Sequence, residues 1–301
     1  MNISTDILLH ETANSYLYVQ DEPGFPAPVV VKILKAEFPS PQRIIQFNNE
    51  FEFTKNLSLP GIRKAFGSQK RDGKHTLLLE YVVGETLRDA FLRRRQPLAP
   101  PTPPKGGEMQ QPHDVFLKTA IAIAEALRQV HEQGIIHKDI NPNNILVDLP
   151  TGKVTIIDFG ISTKIDLKTQ HLGNPDKLEG TLAYLSPEQS GRMNRITDYR
   201  TDFYSLGVTF YELLSGKLPF DTQDSLELVH CHIAKTPPPV HQINPSVPPV
   251  LSDIVAKLMA KNAEDRYQSA FGLKADLERC ISAWQAAASL APLQSLSRQV
   301  G

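Results

Sequence analysis

Two short stretches near the middle of the chain decide how it folds. Residues 137–146 read His-Lys-Asp-Ile-Asn-Pro-Asn-Asn-Ile-Leu, and residues 158–160 read Asp-Phe-Gly. In the first stretch Asp139 precedes Asn144 by five residues, on a predicted loop between a helix and a strand. An acid at this place can accept a hydrogen bond from a hydroxyl group, beside an amide oxygen that suits a hard metal ion. The second stretch follows an apolar run, which predicts a strand that delivers the Asp158 carboxylate to the same place.

Each stretch is a weak signal alone, because turns of the Asp-Gly type end many strands. Their pairing at short separation, each with its flanking strand, is a much stronger pattern. For phosphoryl transfer, a protein must bind the phosphates of the nucleotide and hold a metal ion with oxygen ligands. It must also align the acceptor hydroxyl and bring the two substrates together. The chain supplies residue types for each need in one consistent order.

The composition is that of an ordinary soluble globular protein and argues against several other classes. Hydrophobic residues make up 41% and charged residues 22% of the 301 residues, which allows a sizeable core. The formal net charge is -1, so no general field attracts nucleic acid or an anionic membrane. Cys231 and Cys280 lack the spacing of a zinc site or a disulfide framework. Without a signal-peptide pattern or a membrane-length apolar run, we expect a cytoplasmic protein with no membrane insertion.

The first third of the chain predicts a small β-rich region with one helix. Runs of β-branched and aromatic residues between turn signals indicate strands at residues 7–9, 16–19, 29–34, 63–68 and 75–82. Apolar residues at helical spacing predict a helix over residues 43–57. Lys32 is the lone lysine inside the third of the predicted strands.

The remainder of the chain predicts a mostly helical region. Periodic apolar residues indicate helices over residues 114–133, 201–214, 225–234, 249–260 and 269–288. Asp114 and Gly134 are the predicted caps of the first of these helices. Residues 93–112 are dense in proline and glycine and predict an exposed insertion. Residues 289–301 lack a stop signal and predict the start of a linker.

These motifs, in this order, resemble the eukaryotic-like (Hanks-type) serine/threonine protein kinases, and the likeness runs from about Ile7 to about Trp284. The matching positions are His137-Lys138-Asp139 for the family's His-Arg-Asp, Asn144 for its Asn, Asp158-Phe159-Gly160 unchanged, Ser186-Pro187-Glu188 for its Ala-Pro-Glu, Arg266 for the arginine that pairs with that Glu, and Asp202 for the aspartate that steadies the catalytic loop. Residues 179–184 and 191–194 are similar to the kinase module that opens certain large bacterial signalling proteins, which carry ATPase, sensor and histidine-kinase domains downstream.

The resemblance implies an α+β fold of two lobes and a protein kinase activity. The expected N-lobe, residues 1–82, is small and β-rich with one main helix. The expected C-lobe, residues 83–288, is larger and helical and carries the insertion, and residues 289–301 form the linker-like tail. Such a domain transfers the γ-phosphoryl of Mg-ATP to serine or threonine hydroxyls of protein substrates. Downstream signalling domains or partner proteins are further expected partners.

The resemblance also implies the catalytic residues. Lys32 matches the strand lysine that contacts the α- and β-phosphates of ATP. Its acidic partner is expected on the following helix, where Glu50 is favoured and Glu52 is the alternative. Asp139 matches the aspartate that orients the acceptor hydroxyl and accepts a hydrogen bond from it.

The same resemblance implies a site for two cofactors, ATP and Mg²⁺. Asn144 and Asp158 match the residues that hold the magnesium ion. Leu79 takes the gatekeeper place at the back of the nucleotide pocket. The residues expected around the nucleotide are Leu9, Leu17, Lys32, Val30, Leu79, Glu80, Val82, Leu146 and Ile157.

Three positions depart from the family pattern. The phosphate-covering loop of the family is rich in glycine, whereas residues 10–17 contain none, so we expect a looser fit and weaker ATP affinity. Asn141 stands where serine/threonine kinases carry a lysine, and losing such a charge typically lowers a rate about 10²-fold or more. Lys138 replaces an arginine that reads a phosphate on the activation segment, which predicts a weaker dependence on that phosphate.

Two other functions compete with an active protein kinase. A pseudokinase would use nucleotide or partner binding to regulate another protein, and the glycine-free loop and Asn141 favour it. The retention of Lys32, Asp139 and Asp158 argues against it, because a scaffold needs none of them. A small-molecule kinase of related fold is disfavoured by residues 186–188, which belong to the shelf that binds protein substrates.

Overall fold

The structure is a computed structural model that describes residues 7–93, 112–164, 181–191 and 196–297. It has the α+β architecture of two lobes that the sequence predicts. Within these ranges, every helix is too short or too polar to cross a lipid bilayer. Residues 94–111, which make up most of the predicted insertion, lie outside the described residues.

The N-terminal lobe is built on one antiparallel sheet with the strand order β1-β2-β3-β5-β4. The strands are β1 (Ile7–Glu11), β2 (Ser15–Gln20), β3 (Val29–Leu34), β4 (Ala65–Arg71) and β5 (Lys74–Glu80). Because side chains alternate along a strand, Val30, Lys32 and Leu34 point to one face of the sheet. Val30 and Leu34 pack there in a buried cluster with Phe47, so the charged Lys32 lies between apolar neighbours.

One helix, α1 (Pro41–Thr54), packs on this face of the sheet. Ser40 caps its first turn by accepting a hydrogen bond from the backbone N of Arg43, and a proline at the first helical position suits that turn. The buried side chains of α1 are Phe47, Glu50 and Thr54, at the helical spacing of three and four residues. The helix therefore turns one acidic residue, Glu50, towards the interior of the lobe.

The C-terminal lobe is organised around a central buried helix. Its helices are α2 (Pro112–Glu132), α3 (Arg200–Ser215), α4 (Ser225–Ala234), α5 (Val240–Ile243), α6 (Pro249–Leu258) and α7 (Ala270–Ser297). Every residue of α3 from Thr201 to Leu214 is buried. A Cβ atom added at Gly207 would lie 2.7 Å from the Cβ of Leu258, so only glycine permits this approach of α3 to α6. The rigid α3 supports the loops described below.

Short strands carry those loops to the junction of the lobes. β6 (Glu85–Thr86), β8 (Ile145–Asp148) and β9 (Lys153–Ile156) form one small sheet, and β7 (Ile135–Ile136) pairs with β10 (Thr163–Lys164). The first deciding stretch joins β7 to β8, and the second follows β9. The backbone N of Ile156 donates to the carbonyl of Gly61 at 2.7 Å, which ties β9 to the N-terminal lobe.

Of the two caps predicted for α2, the one at Gly134 is confirmed and the one at Asp114 is wrong. The last helix, α7, is longer than predicted. Asp114 is not an N-cap, because α2 begins at Pro112, a residue well suited to a helix start. Asp114 lies in the first turn and pairs with Lys118 at 2.6 Å. Gly134 has a left-handed φ of 68° and donates to the carbonyl of His131, as predicted for a C-cap. α7 continues to Ser297, through most of the residues expected to begin a linker.

A buried ion pair closes the C-terminal lobe beneath residues 186–188. The guanidinium of Arg266 donates to both carboxylate oxygens of Glu188, at 2.6 and 2.8 Å. The remaining donors of Arg266 reach three backbone carbonyls, those of Arg200, Ala260 and Lys261. The side chain of Arg266 is fully buried, with an exposed fraction of 0%. A buried ion pair of this kind is costly to break because the partner is left as an uncompensated charge.

We expect the substitution Arg266→Met to lower the free energy of unfolding by about 3–5 kcal/mol, because it strands the Glu188 carboxylate in the interior. Denaturant unfolding followed by circular dichroism measures this loss. Arg279→Met is the matched control, because the Arg279 side chain is 82% exposed and its loss should cost under about 0.5 kcal/mol. Equal stability of the two variants would show that the Arg266 pair does not support the lobe.

Candidate active site

Lys32 on β3 and Glu50 on α1 meet between the sheet and the helix. Lys32 Nζ lies 2.7 Å from Glu50 Oε2, and the two side chains are only 11% and 3% exposed. Lys32 Nζ also lies 3.3 Å from Asp158 Oδ2. The alternative partner, Glu52, lies on the outer face of α1 and pairs with Lys55 at 2.6 Å. The structure therefore brings together Lys32, Glu50 and Asp158, and it excludes Glu52 from this contact.

Glu50 has a second cationic partner, which no sequence motif predicts. Arg63 precedes β4, and its Nη2 donates to Glu50 Oε1 at 2.7 Å from a buried position. Each oxygen of the Glu50 carboxylate thus has its own charged donor. The signal in the sequence is a single arginine directly after Ile62 at the start of a predicted strand, a position that is typical of an ordinary strand residue.

The charges in this group set one another's protonation states. Burial by itself lowers the pKa of Lys32, but the nearby carboxylates of Asp158 and Glu50 raise it above its usual value. Partial removal from water by itself raises the pKa of Asp158, whose side chain is half-buried, but Lys32 and then Arg63 hold it below its usual value. Lys32 is therefore protonated and Asp158 ionised at neutral pH. The four side chains Lys32, Glu50, Arg63 and Asp158 together carry two positive and two negative charges.

The loop between β7 and β8, residues 137–144, which the resemblance predicts to be the catalytic loop, is fastened to α3 through Asp202. The carboxylate of this buried residue accepts hydrogen bonds from the backbone N of His137 at 2.9 Å and of Lys138 at 2.8 Å. His131 Nε2 lies 2.9 Å from the same carboxylate. Lys138 has a left-handed φ of 69°, a conformation that costs a non-glycine residue about 1–3 kcal/mol. Its carbonyl accepts from the side chain of Gln189 at 2.8 Å, so contacts on both sides hold the strained residue.

Asp139 is held in one orientation by its neighbours. Its Oδ1 accepts from the backbone N of Thr181 at 3.0 Å, and its Oδ2 accepts from Asn144 Nδ2 at 2.9 Å. His137 lies beneath it, fully buried, with Nδ1 accepting from the backbone N of Asp139 and Nε2 donating to the carbonyl of Ile157. Both ring nitrogens of His137 thus bind the backbone, which is a structural role. The predicted pair of Asp139 and Asn144 is in direct contact.

Asn141 uses its whole amide group within the loop. Its side-chain Nδ2 donates to the carbonyl of Asp139 at 3.1 Å and to Thr181 Oγ1 at 3.4 Å, and its Oδ1 accepts from the backbone N of Asn143 at 2.9 Å. The residue is buried, at 1% exposure. The amide that replaces the family's lysine therefore holds the loop in shape.

The segment 158–160 is locked against α1. Asp158 has a left-handed φ of 64°, and Phe159 is buried with its ring 4.7 Å from the ring of His137. A Cβ atom on Gly160 would lie 3.2 Å from the carbonyl oxygen of Gln46, so the glycine permits close contact with the helix. Asn49 Nδ2 then donates to the carbonyl of Gly160 at 3.2 Å. The position of Asp158 therefore depends on the position of α1.

The residues predicted around the nucleotide lie on both sides of the same junction. Leu17, Val30 and Leu79 are buried in one cluster on the inner face of the sheet. Leu9 is 51% exposed in β1, and Glu80 ends β5 just before Val82. Leu146 lies in β8, and the backbone N of Ile157 donates to the carbonyl of Asn144. Their contact with a nucleotide stays a prediction.

The glycine-free turn between β1 and β2 is closed by a side chain. Thr12 Oγ1 accepts hydrogen bonds from the backbone N of Asn14 at 3.2 Å and of Ser15 at 2.9 Å. The Lys35 ammonium lies 2.5 Å from Glu11 Oε1 beside this turn. A turn closed by the Thr12 side chain thus takes the place of the glycines. The backbone N–H groups of Asn14 and Ser15 are occupied by this side chain.

The chain is similar to protein kinases along most of its length. The protein kinase domain family matches residues 22–276, which begin just after β2. A probable serine/threonine-protein kinase of Clostridium perfringens is 35% identical over 252 residues, 83% of this chain and 34% of that protein. The serine/threonine-protein kinase PrkC of Bacillus subtilis is 30% identical over 256 residues, 85% of this chain and 37% of that protein.

A third relative is a longer protein of another kind. The hybrid signal transduction histidine kinase G of Dictyostelium discoideum is 34% identical over 232 residues, 55% of this chain and 7% of that protein. The chain spans about a third of the length of the two bacterial relatives. The family match covers β3 to β5 of the sheet, α1, the loop from β7 to β8 and the buried Glu188–Arg266 pair in one continuous segment. This chain belongs to the protein kinase domain family.

Proposed function

We propose that this chain is an active serine/threonine protein kinase domain, which binds Mg-ATP between its lobes and transfers the γ-phosphoryl to a hydroxyl of a protein substrate. The observation that carries the proposal is the contact of Lys32 with both Glu50 and Asp158, 2.7 and 3.3 Å away. A cation held between two carboxylates beneath the cleft can bind phosphate oxygens in a fixed place.

The side chains at the junction fit a magnesium ion. Asn144 Nδ2 is engaged by Asp139, which leaves the amide oxygen as the ligand atom, and the Asp158 side chain is 42% exposed. Both offer the hard oxygen donors that Mg²⁺ prefers. Among the described residues, no three His, Cys, Asp or Glu side chains are grouped to hold a metal ion by themselves. Asn144 and Asp158 would therefore hold the ion together with nucleotide phosphates, as is usual for Mg²⁺.

The remaining residues position the acceptor. Asp139, fixed by Thr181 and Asn144, would accept a hydrogen bond from the acceptor hydroxyl and hold its oxygen in line with the transferred group. Bound Mg²⁺ would neutralise charge on the phosphates. Lys32 would orient the α- and β-phosphates, and Glu50 would keep Lys32 in place. Most of the rate then comes from positioning and charge, and proton removal is a minor part.

Residues 186–188 support a protein acceptor. Glu188 and Arg266 fix this segment from below, and the side chain of Gln189 joins it to the carbonyl of Lys138 beside Asp139. The segment is therefore a rigid shelf next to the catalytic loop. Downstream signalling domains as partners, and the cytoplasmic location expected from the sequence, stay predictions.

A regulatory pseudokinase is the second candidate. The Thr12-centred turn and Asn141 favour it, because neither supplies the close backbone approach or the charge that the family uses. The assembled contacts of Lys32, Asp139 and Asp158 oppose it, since non-catalytic binding does not require them all.

We expect Asp158→Ala to lower transfer of labelled γ-phosphate by about 10³-fold or more, because the variant loses an oxygen ligand and a charge at the reacting centre. The assay uses Mg-ATP with the protein itself and with a generic serine- and threonine-rich acceptor. Circular dichroism checks that the variant is folded. Undiminished transfer by the folded variant would refute the assignment, and no transfer by the unaltered chain at saturating ATP would favour the pseudokinase.

We expect Asn141→Ala to lower the transfer rate about 10- to 100-fold with little change in the KM for ATP, because the loop that holds Asp139 loses three hydrogen bonds. Asn143→Ala is the matched control, because the neighbouring residue keeps the backbone N that Asn141 binds. Steady-state kinetics of both variants measures the effect. Equal rates for the two variants would mean that Asn141 does not shape the loop.

A further inference from the structure

The Glu50 carboxylate has two cationic partners, and only one of them is explained by phosphate binding. Lys32 donates to Oε2 and Arg63 donates to Oε1, both at 2.7 Å. A lysine that binds a phosphate divides its charge between the phosphate and Glu50. The contact of Arg63 has no such competition, because this side chain is buried, at 5% exposure, where a phosphate does not reach it.

Arg63 is itself fixed to the end of β9, the strand that precedes Asp158. Its backbone N donates to the carbonyl of Ile156 at 3.1 Å, two residues before Asp158. Within the described residues, Arg63 Nε has no hydrogen-bond partner. The ion pair with Glu50 is thus the contact that compensates the burial of the guanidinium. Arg63 joins α1 to the base of β9 by one side-chain and one backbone contact.

We propose that Arg63 is a positioning residue, which holds Glu50 and with it α1 in the place where Lys32 and Asp158 are aligned, before any nucleotide binds. This inference deepens the proposed function, and its importance for catalysis rests on that function. An arginine suits the role because it stays protonated even when buried and donates from a planar group. Since Asn49 of α1 also binds the carbonyl of Gly160, fixing α1 fixes the segment around Asp158.

The first test is amide hydrogen exchange of the nucleotide-free protein, which needs no catalysis. We expect Arg63→Met to speed exchange in α1 by about 10-fold or more, the range for losing a hydrogen bond between charged groups. Exchange in the buried α3 should stay unchanged and serves as the internal control. Arg71→Met on β4 is the matched variant, because Arg71 pairs with Glu22 and not with Glu50. Arg63→Lys should recover part of the protection.

The second test separates positioning from general support of the fold. We expect Arg63→Met to change α1 exchange little when Glu50→Gln is already present, because Arg63 acts through that carboxylate. Additive effects of the two substitutions, or unchanged α1 exchange in Arg63→Met, would overturn the proposal. If Arg63→Met also exposes α3, Arg63→Gln replaces it in the same cycle, with the same outcomes.

Kinetics then tests the catalytic part separately. We expect Arg63→Met to lower kcat for phosphoryl transfer about 10-fold. The KM for the protein acceptor should be unchanged, because Arg63 is buried beneath α1 and away from the shelf. An unchanged kcat would overturn the role in catalysis. If the unaltered chain transfers no phosphate, the proposed function fails, while the exchange result still decides whether Arg63 positions α1.

Discussion

The whole site depends on one buried carboxylate that is shared by two cations. Glu50 cannot lie in the interior unless its charge is compensated, and Lys32 and Arg63 each bind one of its oxygens at 2.7 Å. These two ion pairs of Glu50 fix the position of α1 against the sheet. The pair with Lys32 also fixes this lysine beside Asp158, so that the ionic contacts of the N-terminal lobe determine the geometry around Asp158.

The C-terminal lobe meets this group with a loop that is held just as firmly. Asp202 on the buried α3 accepts hydrogen bonds from two successive backbone N atoms. These bonds offset the cost of the left-handed conformation of Lys138. Asp139 then points to one place because Thr181 and Asn144 each bind one of its oxygens. The two lobes present opposite halves of one site, and the segment around Asp158 connects them.

Residues whose chemistry is tied to a local motif could be predicted from the sequence, and residues that act through tertiary contacts could not. The spacing of Asp139, Asn144 and Asp158 indicated their grouping, and the resemblance to the kinase family favoured Glu50, which the structure places on the buried face of α1. Arg63 was missed because its partner is thirteen residues away on another element. The sequence predicts that Asn141 lacks the charge of the family's lysine. It does not predict the hydrogen bond of the Asn141 amide to Thr181, because the partner is forty residues away.

If the chain's own side chains assemble the site, the first turnover should need no earlier modification. The most direct measurement is rapid-quench transfer from Mg-ATP to a protein acceptor by protein that has been treated with a phosphatase and then freed of it. Product should form linearly from the first turnover, at a rate per molecule that does not depend on kinase concentration. A lag that shortens as kinase concentration rises would contradict this, because one molecule would then have to phosphorylate another before the site forms.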